Sequence, residues 1–192
     1  MAKLALEAGL PKGVLNVVTG RGAVAGEALA LSMDVDVLVF TGSGPVGRRL
    51  LEYSAQSNLK RVYLELGGKS PSLVFDDVKD IAQAAKVTAN GMFRNSGQVC
   101  VACSRLLVQR GIHDEFVAEL AKAAGALTVG DPLDMATHVG AINSERQLLQ
   151  SLGFVETATK EGGSIHTGGG RILEETGGYY MEPTIVTDVG IG

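Results

Sequence analysis

Cysteine is scarce in this chain of 192 residues. There are two, Cys100 and Cys103, too close together to staple distant segments. That spacing excludes a disulfide framework and makes a reducing cytoplasm the expected compartment. The three histidines, His113, His138 and His166, show no metal-ligand spacing, so no metal is expected. No basic run stands out and the formal net charge is −4, which argues against nucleic acid as a partner. No apolar stretch approaches the roughly 20 residues that span a bilayer, so no membrane partner is expected either. The opening residues, MAKLALEAGLPKG, lack a signal-peptide cleavage pattern and read as a short amphipathic helix ended by Gly9 and Pro11. Aromatic residues make up only 5% of the chain, against 26 glycines. That balance points to many tight turns, as α/β folds with short strand-to-helix connections have.

What is present suits a soluble globular protein: 45% hydrophobic and 20% charged residues are enough to bury a real core. Strand-like apolar runs alternate with segments of helical period. VLNVVT (Val14 to Thr19) is a buried-strand candidate, followed by a small-residue helix from Ala23 to Leu31. VDVLVF (Val35 to Phe40) is a second strand, leading through TGSGPVG into a helix that contains RRLLEYSA. Arg61 to Leu64 and Pro71 to Phe75 are short strands, and Ile81 to Phe93 is an alanine-rich helix with Ile81, Ala84, Ala85 and Thr88 on one face. SRLLVQR reads as a strand and His113 to Ala124 as an amphipathic helix. After the turn-rich GDPLD, a helix runs from Ser144 to Lys160 with Asn143 or Ser144 as its cap. SIHT and PTIVTDV are short strands framed by glycines. Strands joined through helices imply an α/β fold of mostly parallel sheets with helices on both faces. ELGGKS is the most glycine-punctuated junction near the middle.

Three stretches carry residues suited to chemistry. GSGPVG (Gly42 to Gly47) sits between a strand and a helix and matches G-x-G-x-x-G. It is either a phosphate cradle, where helix N-terminal amides face an anion, or a glycine turn with no ligand. Glu65, in LELGGKS, ends a strand ahead of two glycines. It is either a general base, a role that partial burial favours, or a solvated turn glutamate. Cys100 and Cys103 follow a helix and precede a strand, whereas a redox C-x-x-C pair sits at a helix N-terminus. A zinc site would need two further ligands. Gly97 and Gln98 form a tight loop able to present one thiol beside backbone amides, as a nucleophile for a carbonyl carbon requires. A structural role is the alternative for either cysteine.

Together these stretches form a set. LELGGKSP resembles the glutamate signature of the NAD(P)-dependent aldehyde dehydrogenases, and FRNSGQVCVACS resembles that family's cysteine signature. The two stand in the family's order and at about the family's separation. FTGSGPVG is similar to the family's cofactor turn, and LEAGLPKGVLNVVTG, GDPLD and GGYYMEPTIVTDV extend the resemblance along essentially the whole chain. YSAQSNLKRVYLELGGKS and HDEFVAELAKAA look most like bacterial aminoaldehyde dehydrogenases of the γ-glutamyl-γ-aminobutyraldehyde type.

The resemblance implies a Rossmann-like part of the aldehyde dehydrogenase fold. Residues 1–66 would be the C-terminal part of a cofactor-binding domain and residues 67–192 the N-terminal part of the cysteine-bearing catalytic domain. It implies NAD as cofactor, with NADP not excluded, and a small-molecule aldehyde as substrate. Cys100 would attack the aldehyde, and its own amide would supply half of an oxyanion hole. Glu65 would activate the water that releases the acid. Gly42, Ser43 and Gly47 would form the cofactor turn, and Leu66 would lie by the nicotinamide through its backbone. Cys103 would be a packing residue. Only a central portion of the family pattern is matched. The upstream Pro-Trp-Asn and Lys-Pro-Ser-Glu segments and the downstream Glu-x-Phe-Gly-Pro segment have no counterpart, and VGAINS lacks the family's proline. A truncated, inactive module that binds nucleotide or associates with itself is therefore the competing expectation. A homo-oligomer is expected because a partial domain exposes sheet edges and an uncovered face.

Overall fold

A computed structural model describes residues 1–190; the last two residues of the expected 67–192 segment lie outside the described residues. The chain forms two compact units, Met1–Gly67 and Gly68–Gly192.

The first unit opens with helix α1 (Ala2–Glu7), which ends at Ala8 ahead of Gly9, whose φ is +92°. A single π-type stretch, Gly22–Gly26, runs directly into helix α2 (Glu27–Leu31). Strand β1 (Val37–Gly42), helix α3 (Gly44–Gln56) and strand β2 (Arg61–Leu66) then build a right-sized β-α-β unit with β1 and β2 parallel, from Val37 opposite Arg61 to Gly42 opposite Leu66. Alternation fixes which side chains face the helix: Leu38, Phe40, Val62, Leu64 and Leu66 are half-buried, while Val39 and Tyr63 are exposed. The connector after α3 is a polar clamp. Lys60 is buried, and its ammonium donates to the Ala30 carbonyl at 2.6 Å and to the Ser57 hydroxyl at 2.7 Å. Ala30 lies in the last turn of α2, so the cation meets a carbonyl that the helix itself leaves without a partner. Asn58 donates to the Met33 and Val35 carbonyls at 3.0 Å each, which ties the same connector to the chain entering β1.

The strand expected at Val14 to Thr19 does not form. That segment has no regular structure, and Val14 and Val18 are 66% and 70% exposed. Composition alone cannot make a strand, because the ladder needs a partner. Among the described residues β1 pairs only with β2, and Asn16 turns its amide onto the Gly13 carbonyl instead.

The second unit begins with strand β3 (Pro71–Val74), then helix α4 (Ile81–Phe93), strand β4 (Arg105–Val108) and helix α5 (His113–Gly125). β3 and β4 pair in parallel, Pro71 opposite Arg105 and Val74 opposite Val108. Asp80 caps α4 by accepting from the Gln83 amide, and α5 carries Asp114 and Glu115 in its first turn and Lys122 in its last, all suited to the helix dipole. Ala85 and Ala89 of α4, Phe116, Leu120 and Ala124 of α5, Val74 and Ile185 form the core, with Leu106 and Val108 against it. The opposite face of β3 and β4 exposes Leu73 and Leu107. Helix α6 (Glu145–Lys160) is capped by Ser144, which accepts from the Gln147 amide, and Leu148 on its inner face is fully buried. Strand β5 (Ser164–Thr167) pairs antiparallel with β8 (Ile185–Thr187) through a bulge at His166. Strands β6 (Arg171–Ile172) and β7 (Tyr180–Met181) make a small antiparallel pair. The two parallel pairs belong to the expected α/β pattern, and the antiparallel pairs are additions to it.

Phe116 is the largest of the fully buried side chains, so Phe116→Ala should lower the unfolding free energy by about 3–5 kcal/mol. Chemical denaturation should show this as an earlier midpoint with an unchanged slope. A loss below about 1 kcal/mol would mean that α4 and α5 do not hold this core.

Candidate functional site

In the first unit, the turn Gly42–Ser43–Gly44 joins the end of β1 to the N-terminus of α3. Ser43 is the N-cap in extended conformation (φ −83°, ψ 150°), its side chain caps nothing, and Pro45 follows at the second helical position. The first-turn amides of a 13-residue helix therefore lack a side-chain partner, beside an exposed hydroxyl. Such an arrangement can hold an anion. The glycines divide their work. A Cβ on Gly44 would meet nothing within 4 Å, leaving the turn open to a ligand. A Cβ on Gly47 would come within 2.9 Å of the Leu66 side chain, and one on Gly42 would strike the Phe40 ring. Gly47 thus lets α3 settle on β2, the close helix-to-strand packing that the last glycine of such motifs allows. Leu66 turns its side chain under Gly47, which leaves its backbone as the part available to a ligand.

Glu65 stands opposite Thr41 near the end of the parallel ladder. Strand alternation puts it on the face away from Leu64 and Leu66, and it is exposed. The first unit does not supply the partial burial expected for it. Its carboxylate is free of ion pairs among the described residues.

In the second unit, α4 ends at Phe93 and the chain reverses through Arg94–Gly97. Three consecutive residues there are left-handed: Asn95 (φ 52°), Ser96 (φ 55°) and Gly97 (φ 70°). Glycine adopts this freely and asparagine tolerates it, but Ser96 carries a cost of roughly 1–2 kcal/mol. The turn closes on itself, since the Gln98 amide and side chain both donate to the Asn95 carbonyl and the Asn95 side chain donates to the Gln98 carbonyl. A second turn follows, with the Ala102 amide donating to the Val99 carbonyl. Cys100 is exposed on it, Cys103 is half-buried with its sulfur 3.8 Å from the Val101 carbonyl, and both are free thiols. Ala102 is buried and pins the turn between them. A Cβ on Gly68 would stand 3.3 Å from the Cys100 carbonyl, so the second glycine of LELGGKS lies against the cysteine turn. Among the described residues, no three His, Cys, Asp or Glu side chains gather as a metal-ligand set. No described helix is long and apolar enough to cross a membrane.

Gly42, Ser43, Gly47, Glu65 and Leu66 are thus grouped at the β1–α3 turn and the end of β2, in the first unit. Cys100 is mounted on its own double turn in the second. The protein-family model that matches residues 1–190 is described as the aldehyde dehydrogenase family. The chain belongs to the aldehyde dehydrogenase family. It is 48% identical over 188 residues to aldehyde dehydrogenase family 2 member C4 of Arabidopsis thaliana, a match covering 98% of this chain and 37% of that relative. Among solved structures, the γ-glutamyl-γ-aminobutyraldehyde dehydrogenase of Burkholderia cenocepacia J2315 is 50% identical with a TM-score of 0.93, over 96% of this chain and 37% of that one. A mutant of the indole-3-acetaldehyde dehydrogenase AldA of P. syringae, in complex with NAD+ and IAA, is 48% identical with a TM-score of 0.96, over 98% and 38%. The chain therefore has the α/β architecture of the aldehyde dehydrogenase fold and spans a little over a third of the length of these relatives.

Several long-range bonds in this chain of the aldehyde dehydrogenase family matter to the site but were not legible in the sequence. The Ser96 hydroxyl donates to the Gly140 carbonyl at 2.7 Å, and the Gln98 side-chain oxygen accepts from the Asn143 amide at 3.0 Å. Arg105 donates to the Lys69 carbonyl at 2.7 Å. Each joins residues far apart in sequence, and no local periodicity announces such a bond. The one available hint was Asn143 beside Ser144 at the start of α6: only one of the two can cap the helix, which leaves the other for a different partner.

With Cys100 exposed and Cys103 half-buried, iodoacetamide should label Cys100 well before Cys103 in the folded protein. Peptide mapping after partial alkylation checks this. Equal labelling, or Cys103 first, would contradict the exposures described.

Proposed function

We propose that this chain carries the nucleophile and the general base of an NAD-dependent aldehyde dehydrogenase, which oxidises an aldehyde to a carboxylic acid. The observation that carries the reading is an exposed thiol on a strained, hydrogen-bonded double turn in a chain of this family. Structural thiols are mostly buried and inert, whereas Cys100 is exposed.

In this reading the Cys100 sulfur adds to the carbonyl carbon of the aldehyde, and the Cys100 amide donates to the oxygen on which charge develops. The resulting hemithioacetal loses its carbon-bound hydrogen as a hydride and its hydroxyl proton to solvent, leaving a thioester on sulfur. Bound NAD+ supplies the hydride acceptor. Glu65 then takes a proton from water as that water attacks the thioester carbonyl. The carbon–sulfur bond breaks, the acid leaves, and the proton held by Glu65 returns to the sulfur to restore the thiol. The Gly42–Ser43 turn suits the pyrophosphate side of the cofactor, since α3 offers amides without a side-chain cap there and Gly44 leaves the space open. Leu66 would approach the nicotinamide with its backbone. Residues 1–66 are accordingly read as the C-terminal part of a cofactor-binding domain and residues 67–192 as the N-terminal part of the catalytic one.

We favour an aminoaldehyde as substrate, on the strength of the Burkholderia neighbour at 50% identity. A homo-oligomer is our reading of assembly, supported by the exposed apolar faces of both parallel strand pairs. A reducing compartment, the cytoplasm, suits two free thiols.

The test is NADH formation from purified protein with amino, aromatic and aliphatic aldehydes, beside calorimetric titration with NAD+. Turnover that Cys100→Ala abolishes supports the reading, and a preference for aryl over amino aldehydes would overturn the substrate assignment. NAD+ binding without turnover by any of them would instead favour a nucleotide-binding module. For Glu65→Gln, stopped-flow with an activated ester should show the acylation burst kept and the steady state slowed by about 10²–10⁴-fold. An unchanged steady state would leave Glu65 a structural residue.

A further inference from the structure

The cysteine turn is strained and yet well ordered in its bonding, and the residues that hold it are not the ones that would react. We propose that Ser96 and Gln98 are positioning residues that fix the Cys100 turn by tying it to the Gly140–Asn143 segment; this rests on Cys100 being the nucleophile.

Left-handed backbone at a residue with a side chain persists only where the surroundings over-determine it. Here the two external bonds are made from the left-handed run itself and from its exit. The Ser96 hydroxyl, half-buried, donates to the Gly140 carbonyl, and the Gln98 side-chain oxygen accepts from the Asn143 amide. The anchors are firm. Val139 and Ile142 are buried on either side of Gly140. The Gly130 amide donates to the Val139 carbonyl, the Val139 amide donates to the Thr128 carbonyl, and the Ile142 amide donates to the Tyr179 carbonyl. Asn143 directly precedes the Ser144 cap of α6. Cys100 is two residues beyond Gln98, held further by the Ala102 amide's bond to the Val99 carbonyl, the Gly68 approach and the buried Ala102. Removing either external bond frees the turn to relax toward ordinary backbone and carries the thiol and its amide with it. Exposure of the sulfur would survive such a shift, but its alignment with an oxyanion at that amide would not.

That difference supplies the test. Alkylation by iodoacetamide needs only an accessible thiol, whereas acylation by p-nitrophenyl acetate needs the thiol and the amide placed together. Ser96→Ala and Gln98→Leu should each slow acylation by about tenfold or more, in line with the sensitivity of such reactions to misplacement. Alkylation of Cys100 should stay within about two-fold, because accessibility is unchanged. Gln98→Glu keeps an acceptor oxygen for the Asn143 amide and should restore most of the acylation rate. Amide hydrogen exchange over residues 95–102 should rise by about tenfold or more in Ser96→Ala and Gln98→Leu, with α4 unchanged. Acylation and exchange both unaltered in these variants would overturn the proposal, as would failure of Gln98→Glu to outperform Gln98→Leu. Absence of Cys100 acylation in the unaltered protein would sink the assignment of the nucleophile instead, and the exchange measurement would then decide the tether alone.

Discussion

Ala85 and Ala89 end at their Cβ atoms, and this lets α5 bring Phe116 and Leu120 down onto α4, where all four are buried. Much in the second unit follows from that contact. The cysteine turns begin where α4 stops, and β4, which leads into α5, begins where they end. The core therefore sets both ends of the segment from Arg94 to Ser104, although none of its residues carries chemistry. Close packing makes this placement stiff, because a helix seated through small side chains can slide only by losing contact along its whole length.

The glycine-rich motif of the first unit shows how one pattern serves two demands. Gly47 makes room for the Leu66 side chain and Gly42 for the Phe40 ring, whether or not a ligand is present. Only Gly44 leaves space unclaimed by the protein itself. A G-x-G-x-x-G string is thus first evidence for a tight β-α-β unit, and for an anion only when the capping position is left without a side-chain bond, as at Ser43.

Helices with a strong local signal were legible in the sequence. Ile81 to Phe93 matches α4 at both ends, and the Ser144 cap starts α6 one residue later, at Glu145. These succeed because period and capping are properties of neighbouring residues. Val14 to Thr19 fails for the complementary reason, since a strand is a relation between segments and the run meets no partner among the described residues. The same divide runs through the candidate site. The thiol, the glutamate and the glycine turn could be picked out by residue type, but Ser96 and Gln98 are defined by partners more than forty residues away. The left-handed run at Asn95 and Ser96 was equally hidden, because serine gives no propensity signal for that backbone.

Parallel pairing has a further consequence, for the way the chain reaches this fold. β1 and β2 cannot meet across a tight turn, and neither can β3 and β4, because in each case a whole helix lies between the partners. Closing such a loop as flexible coil costs chain entropy before any ladder bond repays it. Coiling the intervening residues into α3 or α4 shortens the path to about 1.5 Å per residue and removes most of that freedom beforehand. The local helices are thus the kinetic scaffold on which the distant strands find their register.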